Sequence, residues 1–199
     1  RPEVTILLDL SSDRLGLRVL FDGDPQGPTL FDGFKRLSSR AIDNILVRIL
    51  DENGNWDERG GIWYINSSEH IETVVGLIQE YPRIMLLDSL KSISFGHELL
   101  EAHLQVHWQK TGADLLMSWI LPDGRRIARD RELIGTGPYW TLAENTLYRL
   151  SPLAARLAAL LPYSASLWIS RSNVGPVLEA LEELDGSTDF VAVDNPELQ

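Results

Sequence analysis

Apolar and polar positions alternate weakly over residues 4–10 and clearly over residues 15–21, with Ser11-Ser12-Asp13-Arg14 between them. A period of two on either side of a polar quartet predicts a strand, a tight turn and a second strand. Asp22-Gly23-Asp24-Pro25 stops the pair, and residues 26–36 read as a loop containing Gly and Pro. The period then changes. Ile42, Ile45, Leu46, Ile49 and Leu50 fall on one helical face, with Ser38 or Ser39 as the cap and Asn53-Gly54-Asn55 as the stop. A short strand, Ile62-Trp63-Tyr64-Ile65, comes next. Asn66, Ser67 or Ser68 caps a second helix with the face Ile71, Val74, Val75, Ile78 and Tyr81, closed by Pro82. Residues 84–87 read as a buried strand ending at Asp88, and residues 89–96 as a linker.

The second half repeats this order. Leu104, Val106 and Trp108 alternate with His103, Gln105 and His107, a turn follows at residues 110–113, and residues 114–121 return. Pro122-Asp123-Gly124 turns the chain into a short strand over residues 125–128. Residues 139–142 and 146–150 form a further hairpin around Glu144-Asn145. Ser151-Pro152 opens a helix with proline at its first position, with the face Leu153, Leu157, Leu160 and Leu161 and a stop at Pro162. Leu167-Trp168-Ile169 is a short strand. Ser170 or Ser172 caps a last helix with the face Val174, Val177, Leu178, Leu181 and Leu184, and residues 190–193 form a strand ending at Asp194.

Two passes of the same parts predict an internal repeat. The last five-residue face lies 103 positions after its counterpart in the first half, Leu167-Trp168 lies 105 after Ile62-Trp63, Asp194 lies 106 after Asp88, and Asp123-Gly124 lies 101 after Asp22-Gly23. The expected fold is α/β (α+β): two tandem, similar ββαβαβ modules with mixed sheets, residues 1–95 and 96–199, the second with extra β-hairpins. In this alignment Trp63 and Trp168 are equivalent core anchors.

Composition narrows the chemistry. The chain has 199 residues, 18 basic and 29 acidic, for a net charge of −11. Binding to DNA or to an anionic membrane through bulk charge is disfavoured. There are no cysteines, which excludes disulfides, thiol catalysis and cysteine-based metal sites and fits a reducing, cytoplasmic location. No apolar run approaches the roughly 20 residues of a membrane helix. The start at Arg1-Pro2-Glu3 reads as the edge of a piece of a longer protein.

The motifs that would carry catalysis are incomplete. No Gly-x-x-x-x-Gly-Lys-Ser/Thr loop occurs, and Gly135-Thr136-Gly137 lacks the third glycine and the following helix of a dinucleotide site. The segment from His97 to His103 resembles a His-Glu-x-x-His helix, but Glu101 stands where the second histidine belongs. His103 and His107 would share a helical face, yet the alternation around them is that of a strand. There, four residues span about 13 Å, too far for one metal. No Gly-x-Ser-x-Gly elbow is present. Asp88 and Asp194 could do acid–base work only as a pair, and strand-end aspartates ordinarily open turns. No catalytic residue, cofactor or metal is expected. Arg125, Arg126, Arg129 and Arg131 form the one dense basic cluster, a candidate contact for nucleic acid or for an acidic partner.

The order of helix, Asn-x-Trp, short strand, capped helix and apolar strand over residues 38–88 resembles the bacterial Swi/Snf helicase-associated region, which lies upstream of the ATPase core in that family. The second half resembles it more closely. Leu133-Ile134-Gly135-Thr136-Gly137-Pro138-Tyr139-Trp140-Thr141-Leu142 is similar to its Val-Gly … Pro … Trp-Leu-Leu segment. Asn145-Thr146-Leu147-Tyr148-Arg149-Leu150 is similar to Gly-Asp-x-Leu-Tyr-x-Leu, and residues 167–184 to its closing strand and helix. The family's Gly-Lys-Thr loop and Asp-Glu-x-His box are absent from this chain. The resemblance implies a non-catalytic accessory domain of an ATP-dependent helicase or translocase. Its partner would be the parent's own ATPase core or another protein, with nucleic acid contacted weakly or indirectly and no membrane. The alternatives are an independent interaction or adaptor module and a small acidic hydrolase carried by His97, Glu98 and His103.

Overall fold

The computed structural model describes residues 3–11, 14–28, 41–129, 140–160, 166–185 and 191–194. It is a mixed α+β fold, and the chain divides into two compact units: Arg1–Gly96 with Leu133–Leu147, and His97–Glu132 with Tyr148–Gln199. The first break falls one residue from the boundary expected at 95/96. The hairpin segment expected in the second module belongs instead with the first unit, because Trp140, Leu142 and Leu147 are part of that unit's hydrophobic core.

In the first unit, β1 (Val4–Ser11) and β2 (Arg14–Phe21) form the predicted antiparallel pair, with Leu8 opposite Leu17. Asp22 and Gly23 take positive φ, which a two-residue hairpin turn requires, and fold β3 (Asp24–Pro25) back onto β2. Helix α1 (Ala41–Asn53), β4 (Asn55–Asp57), β5 (Ile62–Ile65), α2 (Ser68–Ile78) and β6 (Ile84–Leu86) follow. The strand order is β4-β5-β2-β1-β6, with β6 parallel to β1 and the other pairs antiparallel. One face of the sheet carries Ile6, Leu8, Leu15, Leu17, Trp63, Ile65, Ile84 and Leu86. They pack with Leu46, Val47 and Leu50 of α1 and with Ile71, Val74, Val75 and Ile78 of α2. The stretch expected to be a linker contains β7 (Ser94–Phe95) and the buried Ile93. Strand β7 pairs in parallel with β12 (Thr146–Arg149), which lies beside β11 (Trp140–Ala143). Glu144 and Asn145, between those two strands, both have positive φ, as the hairpin around them predicts.

Helix α1 is rotated from its predicted face. Ile45 is 47% exposed and Asp43 is buried. The Tyr81 hydroxyl donates to Asp43 Oδ1, so a polar partner inside the core outweighs the apolar tally of the sequence. The proposed caps at Ser38 and Ser39 lie outside the described residues.

The second unit is built on β8 (Glu101–Gln109) and β9 (Gly112–Ile120), followed by β10 (Arg126–Ala128), α3 (Pro152–Leu160), β13 (Ser166–Ser170), α4 (Arg171–Asp185) and β14 (Val191–Asp194). Both β10 and β13 pair antiparallel with β9, and β14 pairs in parallel with β8. Helix α3 starts as the sequence predicts. Ser151 Oγ accepts from the Ala154 N–H at 3.1 Å, and its own hydroxyl donates to Glu101 Oε2 at 2.8 Å. Its buried face is Ala154, Leu157 and Ala158, with Leu153 only half-buried.

The strand path β5-β2-β1-β6 of the first unit has the same order and directions as β13-β9-β8-β14 of the second. The backbone ladder places Leu86, Leu8, Leu17 and Trp63 in one row, and Val193, Val106, Leu115 and Leu167 in the corresponding row. The counterpart of Trp168 in this register is therefore Tyr64, not Trp63. Trp63 is 2% exposed and Trp168 is 45% exposed, so Trp168 is not a core anchor. A one-residue shift moves a strand side chain to the opposite face of its sheet.

Gly16 lies on the face of the first sheet turned away from the two helices. A Cβ there would come within 2.9 Å of both Asp9 Cβ and Tyr64 Cε1. Gly16→Ala is expected to lower stability by about 1–3 kcal/mol through overpacking. Urea denaturation monitored by circular dichroism would measure this, and a loss below about 0.5 kcal/mol would show that the face repacks freely.

Candidate binding surface

Of the predicted basic cluster, the described Arg125, Arg126 and Arg129 do not share one surface. The Arg125 Nε pairs with Asp123 Oδ2 at 2.6 Å across the β9–β10 turn. The Arg125 guanidinium beside Asp123 holds that carboxyl below its usual range, first through the side-chain hydrogen bond. Arg126 is exposed on β10. Arg129 is only 7% exposed and its Nη1 donates to the Ala158 carbonyl at 3.0 Å. It satisfies a carbonyl in the last turn of α3, where a cation also complements the helix dipole. Arg131 lies outside the described residues, as does the Gly135-Thr136-Gly137 loop.

The histidines and paired acids are likewise dispersed. His97 and Glu98 are exposed ahead of β8, whereas His103 is 5% exposed. Burial, and then the positive charge of Arg126, push the His103 imidazole below its ordinary value of 6.5. His103 and His107 lie on a strand, as the alternation around them predicts. Among the described residues no group of three His, Asp or Glu side chains is placed to hold a metal ion. Asp88 is exposed after β6 in the first unit. Asp194 ends β14 in the second unit, its backbone in register with His107. No helix among the described residues is long and apolar enough to cross a membrane.

Two surface depressions among the described residues flank Trp56 in the first unit. Trp56 stands on the short edge strand β4, opposite Trp63, with ring centroids 5.0 Å apart and planes tilted by 49°. Gly27 permits the other contact: a Cβ there would meet Trp56 Cζ2 at 2.7 Å. One groove, of about 400 Å³, is lined by Arg14, Asn55, Trp56, Asp57, Tyr64 and Asn66. The other, of about 420 Å³, includes Arg18, Arg59, Glu58 and Pro25. Arg18 Nε donates to the Gly60 carbonyl at 3.1 Å, which ties the β4–β5 turn to β2. The Arg14 guanidinium lies 3.8 Å from the Tyr64 ring centroid, a cation–π stack. Tyr64 donates its hydroxyl to Asp9 Oδ2 at 3.1 Å. Burial, followed by that hydrogen bond and the Asp9 charge, raises the phenol above 10.0, so it remains a donor at neutral pH.

These grooves present guanidinium, amide and aromatic groups beside carboxylates. Groups of these kinds can stack on and hydrogen-bond to a polar ligand. The sequence pattern did not reveal the site, because Asn55-Trp56-Asp57 is too short and too polar to register as a strand and Arg14 reads as a turn residue. Trp56 flanked by polar residues between a helix stop and a strand was the available signal.

Two consequences are measurable. Arg129→Met is expected to destabilise by about 1–3 kcal/mol, the cost of leaving a buried acceptor unpaired, while Arg125→Ala leaves the denaturation midpoint unchanged. Equal effects of the two would refute the assignment of Arg129 to the interior. For His103 the folded-state value lies below the unfolded one, so the unfolded chain binds more protons as the pH falls below about 6.5. Stability is therefore retained above that pH and lost below it. His103→Leu is expected to flatten the melting temperature between about pH 6.5 and 5 relative to the native chain. Unchanged slopes in both proteins would count against a neutral buried imidazole.

No protein-family model, curated protein or solved structure matches this chain.

Proposed function

We propose that this chain is a non-catalytic accessory domain of a bacterial Swi/Snf-type DNA helicase or translocase. It acts in the cytoplasm through contacts to the parent's own ATPase core or to another protein. The observation that carries the reading is the role of the residues on which the resemblance rests. Trp140, Leu142, Leu147 and Leu150 are buried, and the Trp140–Ala143 and Thr146–Arg149 strands form a tight hairpin. The family-like pattern is thus a packing pattern, which suits a domain that supports an engine supplied by another part of the protein. The dispersal of Arg125, Arg126 and Arg129 supports weak or indirect contact with nucleic acid rather than a polyanion cradle. The open, mixed-charge grooves beside Trp56 support recognition of a protein chain and equally suit an independent adaptor module.

The two readings separate on what is encoded beyond Gln199. A Gly-Lys-Thr loop and an Asp-Glu-x-His box are expected there, and their absence would overturn the helicase reading in favour of the adaptor. The isolated chain is expected to show no saturable, DNA-stimulated ATP hydrolysis. At about 150 mM salt, where the Debye length is near 8 Å, its affinity for duplex DNA is expected to be weaker than about 1 μM. Duplex affinity draws on many phosphate contacts, and a chain at −11 opposes them. Submicromolar binding in an anisotropy titration, lost in an Arg125→Ala/Arg126→Ala variant, would refute the indirect-contact reading.

A further inference from the structure

The two units carry the same ladder on their outer faces, filled differently. In the first, Asp9, Gly16 and Tyr64 stand in one row across β1, β2 and β5. In the second, His107, Asp114 and Trp168 occupy the corresponding row across β8, β9 and β13. Two residues before Gly16 is Arg14, whose guanidinium covers the Tyr64 ring at 3.8 Å. Two residues before Asp114 is Gly112, which has no side chain to offer. A Cβ at Gly112 would lie 2.7 Å from Trp168 Cζ2, so the indole rests against that bare backbone. Among the described residues no cation stands over Trp168, and the ring is 45% exposed. Its neighbour Asp114 is half-buried, accepts from Gln109 Nε2 at 3.0 Å and retains its second carboxylate oxygen.

We infer that the outer face of the second sheet at Trp168 receives a guanidinium or ammonium group from a basic segment of a partner protein, the cation stacking on the exposed part of the indole as Arg14 stacks internally on Tyr64. Three features select this occupant. Indole is the strongest of the aromatic cation acceptors. Asp114 stands directly across the ladder from Trp168, where its carboxylate can pair with the same cation. The chain's net charge of −11 draws basic segments toward it before contact. Lys110 and Arg171 lie at the same end of the sheet, the Arg171 N–H bonding to the Thr111 carbonyl at 3.0 Å. Their positive charge disfavours a long polybasic tract. The inference rests on the reading of this chain as a protein-contact module and does not depend on which protein is contacted.

The test uses the full chain labelled with nitrogen-15 and three synthetic peptides, (Gly-Ser-Arg)3, (Gly-Ser-norleucine)3 and (Gly-Ser-Glu)3. The six tryptophans give indole N–H signals, assigned by single substitution. The arginine peptide is expected to shift the Trp168 indole signal saturably, with the other five moving less. Trp168→Ala should weaken binding roughly fivefold or more, Trp168→Phe less, and Asp114→Asn about twofold to fivefold, as a cation–π contact supported by one carboxylate requires. Matching amide spectra of the variants and the native chain would show that the fold is intact. An equal shift with the norleucine peptide would replace the inference with plain apolar contact. A stronger shift with the glutamate peptide would reverse it, assigning the face to an anion held by Lys110 and Arg171. Binding of the arginine peptide that leaves the Trp168 signal unmoved, or no binding at all, would also overturn it. Because the probes are peptides, failure of the helicase reading leaves these outcomes unaffected, and a chain that engages the ATPase core but ignores the arginine peptide would sink the present inference alone.

Discussion

The register of the two central hairpins decides what every other element of each unit must cover. Strand side chains alternate between faces, so pairing Leu8 with Leu17, or Val106 with Leu115, commits a whole column of leucines and valines to one side. A slip of one residue would turn that column to the other face and expose it. Once the register is set, the helices have a surface to bury and the edge strands a backbone to bond. The parallel strands β6 and β14 can join only after a helical crossover has returned the chain to the correct edge. In the first unit Gly16 protects this register on the outer face, because any larger residue there would separate Asp9 from Tyr64.

The polar groups that enter the interiors hold specific joints. Asp43 and Tyr81 join α1 to the end of α2 inside an otherwise apolar core. The Trp63 Nε1–H donates to the Gln26 carbonyl at 3.0 Å, fixing the loop after β3 on top of β5. In the second unit Ser151 caps α3 while donating to Glu101 at the start of β8, and Arg129 reaches the other end of the same helix. One helix is thus held at both ends by side chains from outside it. A buried hydrogen bond contributes only about 1 kcal/mol net, whereas losing one partner costs more. Such contacts therefore fix where a helix sits more than they stabilise the fold.

Most elements were legible because they are long enough to show a period. The hairpins of residues 4–21 and 101–120, the face from Ile71 to Ile78, the Pro152 helix start and the Glu144-Asn145 turn all follow from spacing alone. What escaped detection was short or decided by contacts distant in sequence. Strands β4 and β7 have three and two residues, too few for any alternation to register. The rotation of α1 depends on Tyr81, 38 positions away. Arg125, Arg126 and Arg129 are near neighbours in sequence, but Arg125 pairs with Asp123 in the turn, Arg126 is exposed on β10 and Arg129 reaches the end of α3. Aligning the two Trp dipeptides puts Trp168 in the core, one residue off the ladder, and sequence offsets cannot show the difference without strand partners. For the grooves beside Trp56 only the tryptophan itself was visible. Arg14 and Arg18 come from β2, which joins β4 only through β5, and Arg59 from the turn between β4 and β5.

A fold that places its apolar residues on one side of each sheet leaves the other side free to vary without cost to the core. The inner rows of the two units are interchangeable in character: Leu8 and Leu17 in one, Val106 and Leu115 in the other. The outer rows are not. Where the first unit closes its aromatic with an internal arginine and an aspartate, the second pairs an open indole with an aspartate and replaces the arginine by Gly112. A tryptophan left 45% exposed gains only part of the burial open to it, and a glycine within a strand weakens the strand. Neither choice is the most stabilising one for the unit, which directs attention to what the face meets outside it. The acidic charge of the chain makes a basic group the counterpart that can be drawn in and held there at least desolvation cost, since the indole face attracts a cation without requiring it to shed all of its water.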